Sequence, residues 1–217
     1  MAGKTGADLP QRIANLPREE WTDPAREIFA FWGEPGAWDN GSKTNMQMVM
    51  AQHPPLALAY NIFGKHLLLN STLPVRPREL VVLRCAWHQK CAYEWHYHVG
   101  YGLKAGLTMA EMAAVRDGPG SPEFDGKDED RAVLTAVDEL VEANRISDAT
   151  WAELSRFFST QQIMDFVFTV GNYVMLGWAV ASFGIPVEAG VDPIGFDMKT
   201  RSGKEPQGSS RPFENAK

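Results

Sequence analysis

The sequence predicts an all-α, single-domain helical bundle, and three observations carry that expectation. Residues 78–107 hold apolar side chains at helical spacing with no interior proline, between Pro77 on one side and Gly106 on the other. Residues 129–144 show an amphipathic helical pattern, and residues 161–183 form a long, mostly apolar run. Hydroxyl side chains stand where helices should open, at Thr108, Ser147 and Ser159.

Taken in order, residues 1–9 are small and polar and read as a mobile start. Pro17-Arg18-Glu19-Glu20 opens a helical segment, and Pro24 suits the first turn of a second one ending near Trp32. Residues 33–42 (GEPGAWDNGS) read as a loop, with Trp38 either a lid over a pocket or an anchor to the core. Residues 45–52 (NMQMVMAQ) read as a helix stopped by Pro54-Pro55, its methionines filling the core or lining an adaptable pocket. An amphipathic helix follows over 56–69, with Lys65 and His66 outward. Residues 78–107 give two helices turning near Gln89-Lys90. Thr108 and Glu111 form a capping box, 117–128 is a loop, and helices follow over 129–144, 149–158 and 161–183. The last is hydrophobic nearly all round, which places it inside the bundle or at a subunit interface. From residue 191 the chain turns to Pro, Gly, Ser and Lys, the composition of a flexible tail.

Composition excludes several classes. A net charge of −6 without a cationic block argues against a nucleic-acid partner. Two cysteines six positions apart make neither a disulfide scaffold nor a C-x-x-C centre. No charged and apolar leader opens the chain, and the longest apolar run is broken by Gly171, Asn172, Gly177, Ser182 and Gly184. The expectation is a cytoplasmic protein without a membrane partner.

The chemistry concentrates in residues 78–107, which hold both cysteines and three of the five histidines. Cys91, Glu94 and His98 are three and four apart and would line one helical stripe. A helix starting at Cys91 would bias its thiol toward thiolate. An antiparallel hairpin would return Glu79 to the level of His98, giving two carboxylates, an imidazole and a thiol suited to proton transfer. The competing reading is an exposed Glu–His pair and a small buried cysteine. His96 and His98 fall about 200° apart on a helix, so a catalytic metal is not expected. Asn172, Tyr173 and Trp178 on the last helix are candidates to face a pocket, against packing or a subunit contact.

One wider pattern combines Asn45, Pro54-Pro55-Leu56, Leu73, Arg76, Arg78-Glu79-Leu80, Tyr93-Glu94-Trp95-x-x-His98 and Gly106-Leu107. It resembles the carboxymuconolactone decarboxylase family, which includes the alkyl hydroperoxidase D-like proteins, over roughly residues 45–187. The resemblance implies a helical domain over 45–190, an N-terminal helical extension over 1–44 and a tail over 191–217. It also implies a homo-oligomer (dimer, trimer or hexamer). In the peroxidase branch, Glu79, Cys91 and His98 match the glutamate, first cysteine and histidine of the redox centre. The second cysteine falls on Glu94, so the dithiol exchange of that branch is not available here.

The resemblance therefore implies a cofactor-independent lyase acting on a small organic acid, lactone or aromatic-pathway metabolite. Glu79, Cys91, Glu94 and His98 would be catalytic; Arg76, Arg78, Tyr93, Trp95 and Trp178 would bind substrate, with Arg84 a lesser candidate. A hydroperoxide reductase using Cys91 alone, and a non-catalytic ligand-binding or assembly member, are the alternatives.

Overall fold

The centre of the molecule is a helix that has almost no outside. In the run Leu80-Val81-Val82-Leu83-Arg84-Cys85-Ala86 every residue is buried, so apolar side chains cover this helix all round and neighbours must enclose it. The structure, a computed structural model, describes residues 10–188; the expected mobile start and the tail over 191–217 lie outside the described residues.

The elements are helices throughout the described residues: α1 (Asp23–Ala30), α2 (Ala37–Asn40), α3 (Asn45–Met50), α4 (Pro54–Lys65), α5 (Val75–Gln89), α6 (Ala92–Lys104), α7 (Met109–Ala114), α8 (Asp128–Ala143), α9 (Asp148–Phe157) and α10 (Thr160–Phe183). The central helix is α5, packed against α6, α8 and α10. Side-chain caps fix several starts. Thr22 caps α1, Ser147 caps α9, and capping boxes pair Thr108 with Glu111 at α7 and Ser159 with Gln162 at α10.

The hairpin turn is made by Lys90. It adopts φ 52°, which ends α5 and lets the Cys91 N–H reach back to the Ala86 carbonyl at 2.9 Å. Cys91 then becomes the N-cap of α6. Two local readings change. The loop over 33–42 contains the short helix α2, and Trp38 on it is largely exposed, neither lid nor core anchor. The helix over 56–69 is α4 up to Lys65, followed by a single π-helical turn at His66–Asn70.

The long helix α10 is apolar enough to span a bilayer by length and composition, with mean hydropathy 1.5. Its buried face, including Phe166, Val170, Tyr173 and Gly177, packs on the bundle. Met164, Phe168, Met175 and Trp178 form a stripe on the other side and remain exposed. Trp178 is 60% exposed and turned outward, so it does not line a pocket within this chain.

Arg76 is also reassigned by its surroundings. Its guanidinium donates to Asp130 Oδ2 at 2.6 Å, Glu111 Oε1 at 2.7 Å and the Gly106 carbonyl at 3.2 Å, tying the start of α5 to α7 and α8. Burial by itself raises the Glu111 carboxyl, yet the bonds from Arg76 and Lys127 bring it down to about 2. A carboxyl lowered by folding stabilises the fold above its unfolded value of 4.5, and that contribution disappears as pH falls toward 2. Arg76→Ala is expected to cost about 2 kcal/mol in urea unfolding at pH 7. It should also flatten the acid limb of stability between pH 5 and about 2.

Candidate functional site

The α5–α6 hairpin buries an imidazole between two carboxylates. Glu79 is wholly buried in the first half of α5, and Glu94 and His98 are 6% and 3% exposed on α6. His98 Nδ1 lies 2.6 Å from Glu79 Oε2, and His98 Nε2 lies 3.6 Å from Glu94 Oε2. The first is a short charge-assisted hydrogen bond; the second is an ion-pair separation beyond hydrogen bonding. Arg78 completes the row, its Nε and Nη2 donating to Glu79 Oε1 at 3.2 and 3.1 Å. The order across the hairpin is thus Arg78, Glu79, His98, Glu94.

Protonation follows from this order. With its Oε1 held by Arg78, Glu79 is an acceptor, so the Nδ1 proton of His98 belongs toward it and Nε2 faces Glu94 as the basic nitrogen. Burial raises the Glu94 carboxyl above its ordinary value, and the neighbouring His98 charge partly opposes that. Burial therefore favours the proton-holding form of Glu94.

Cys91 sits one turn before Glu94 as the N-cap of α6, with the backbone N–H groups of Tyr93 and Glu94 directed at its sulfur. The thiolate expected from this position does not result. Burial, helped by the Glu94 charge, pushes the thiol up to about 12, and the two N–H groups do not offset it. Gly177 on α10 closes over it; a Cβ there would meet Gln89 Cβ at 3.0 Å and Cys91 Cβ at 3.8 Å.

The expected substrate-binding residues are mostly elsewhere. Among the three arginines, Arg78 touches the row, Arg76 serves Asp130 and Glu111, and Arg84 binds Asp138 through two bonds of 2.6 and 2.9 Å. The Tyr93 hydroxyl donates to Glu188 Oε1 at 2.8 Å, and Tyr97 donates to the other oxygen of the same carboxylate. Trp95 is a core residue against Trp87, their ring centroids 6.4 Å apart.

Residues from other helices complete the row. The Tyr173 ring of α10 stands edge-on to His98 at 5.0 Å, and the Tyr101 ring lies 5.2 Å from it. Tyr60 of α4 neighbours Asn172 of α10, and its hydroxyl is raised by burial and then by the charge of Glu94. Tyr60 carried no signal in the sequence, because nothing local couples α4 to α10. Among the described residues, no three His, Cys, Asp or Glu side chains are arranged to hold a metal ion.

The sequence model of the carboxymuconolactone decarboxylase family matches residues 54–139, which run from α4 through α8 and include the whole row. This segment is similar to the carboxymuconolactone decarboxylase family. No curated protein matches the chain. Solved structures share its helical fold. ATU0492 of Agrobacterium tumefaciens, a protein of unknown function named with the antioxidant defence protein AhpD, is 22% identical. It aligns over 64% of this chain and 96% of its own, with TM-score 0.57. The debrominase Bmp8 is 15% identical over 83% of this chain and 94% of its own, with TM-score 0.63. A cysteine-to-alanine variant of Bmp8 has been solved with 2,3,4-tribromopyrrole. An AhpD-core, peroxidase-related protein from Ralstonia eutropha JMP134 is 15% identical over 82% of this chain and 93% of its own, with TM-score 0.64. At these identities the likeness is one of fold, and the fold is AhpD-like.

The buried thiol makes a direct expectation for this protein. In the native protein at pH 7.5, neither Cys85 nor Cys91 should react appreciably with a disulfide reagent over the time in which free cysteine is consumed. Both should titrate at once in guanidinium. Prompt native labelling of Cys91, located by mass spectrometry and lost in Cys91→Ser, would show that its sulfur is accessible and ionised.

Proposed function

We propose that the chain is an enzyme of acid/base chemistry, a cofactor-independent lyase or isomerase that moves a proton at carbon of a small unsaturated lactone or aromatic-derived metabolite. The observation that carries this reading is His98 held between Glu79 at 2.6 Å and Glu94 at 3.6 Å in a buried row. Glu79, fixed by Arg78, orients the imidazole. His98 Nε2 takes a proton from one carbon, the protonated Glu94 delivers its own at a second position, and transfer from Nε2 to the Glu94 carboxylate resets the pair. Isomerisation draws on this exchange directly, whereas decarboxylation would also require a free carboxylate on the substrate. A free carboxylate substrate fits less well, because Arg76, Arg78 and Arg84 are each already paired with a carboxylate of the chain.

A second reading is thiol chemistry at Cys91, supported by its two backbone N–H contacts and by the cysteine variant through which Bmp8 was solved with its halogenated pyrrole. The thiol, at about 12, weighs against it. We also propose a homo-oligomer, supported by the exposed stripe of Met164, Phe168, Met175 and Trp178, and a cytoplasmic location.

The test is proton exchange at carbon. A panel of unsaturated lactones, enolisable ketones and phenols is incubated with the protein in D2O, and deuterium wash-in is followed by NMR. His98→Ala and Glu94→Gln are each expected to slow wash-in by about 10² or more. Glu94→Gln should fold at least as stably as the parent at pH 7. A carboxyl raised by folding opposes the fold as pH climbs through its folded value, and glutamine removes that opposition. Undiminished exchange in both folded variants would end the acid/base reading.

A further inference from the structure

Among the described residues, Trp95 Nε1 on α6 and Asn172 Oδ1 on α10 are buried polar atoms without a hydrogen-bond partner. Asn172 is 4% exposed on α10, and its Oδ1 has no hydrogen-bond partner among the described residues. Tyr60 on α4 neighbours this side chain, whose oxygen is left bare. The next residue along α10, Tyr173, stacks edge-on against His98 at 5.0 Å, which brings this part of α10 to the acid/base row. Leaving a buried amide oxygen unpaired is costly, so such an atom marks a place for a ligand group.

The charge around it narrows what that group is. The neighbouring carboxylate Glu79 already holds Arg78 and His98. The other nearby acid, Glu94, is raised by its burial. An incoming carboxylate would find acids and phenols and no uncommitted arginine among Arg76, Arg78 and Arg84. A neutral group with a hydrogen to donate meets both needs: it satisfies the amide oxygen and brings no charge into a buried site.

Building on the acid/base reading, we infer that Asn172, oriented by Tyr60, is the substrate anchor of this site and accepts a hydrogen bond from the hydroxyl or ring N–H of a neutral unsaturated ring. Tyr60 is a positioning residue: as a neighbour of the amide it keeps Oδ1 facing the ligand. The anchored ring then lies over Tyr173, with Glu94 and His98 in reach of its edge.

Phenol is the probe, with anisole as the same ring lacking a donor and benzoate as the charged form of comparable size. Binding to the full chain is measured by ligand-observed NMR titration near neutral pH. Phenol is expected to bind at least fivefold more tightly than anisole or benzoate. Asn172→Leu should reduce phenol affinity about tenfold, to the anisole level. Tyr60→Phe should lower the phenol-to-anisole ratio severalfold with the anisole affinity unchanged, which a merely structural role would not do. Should Asn172→Leu fail to fold, the Tyr60→Phe ratio decides. Equal binding of phenol and anisole to the parent protein would overturn the assignment, as would a ratio unmoved in either folded variant. Glu94→Gln separates the two proposals: it should retain the phenol preference even where it abolishes proton exchange.

Discussion

The bond between Glu79 and His98 is the constraint on which the rest of the hairpin depends. A carboxylate with no exposure is stable only where cations and donors surround it, since the unpaired ion would cost several kcal/mol. Arg78 supplies one side from the same helix and His98 the other from α6. The two helices therefore cannot slide by a turn without stranding a buried charge. Within α6, the spacing of four residues sets Glu94 against the second imidazole nitrogen. The covering residues Tyr173 and Tyr60 come from helices outside the hairpin, so the row is assembled locally and enclosed by the fold.

At Cys91 two effects compete, and their sizes decide the outcome. A helix N-terminus favours a negative charge by about 0.3–1 kcal/mol at an exposed site. A rise of the thiol from its ordinary 9 to about 12 corresponds to roughly 4 kcal/mol against ionisation. Burial wins. Glu94 strengthens that result, because a carboxylate one turn away further opposes a thiolate.

What could be read from the sequence followed from local rules. Residues three and four apart share a helix face, and a hairpin turning at Lys90 returns Glu79 to His98; both relations survive in the structure. The capping boxes at Thr108 and Ser159 were equally local. The errors came where a side chain's partner is distant. Arg76 and Arg84 look like free anion receptors in a helix, but Asp130 and Asp138, each 54 residues away, claim them. Trp178 has the composition of a pocket wall, and only the packing of α10 on α5 shows that it points outward. The state of Cys91 turned on desolvation, which helical spacing does not report. Glu188, which receives both Tyr93 and Tyr97, carried no pattern at all.

That same Glu188 also accepts from the backbone N–H of Asn45 at 2.7 Å, across 143 residues of chain, whereas Glu79 and His98 are separated by 19. The entropy of closing a loop grows with the logarithm of its length, so the longer closure costs about 2 kcal/mol more. The row of Glu79, His98 and Glu94 thus lies among the contacts that one helical hairpin makes within itself, and the bond at Glu188 is among those that close the domain over long range.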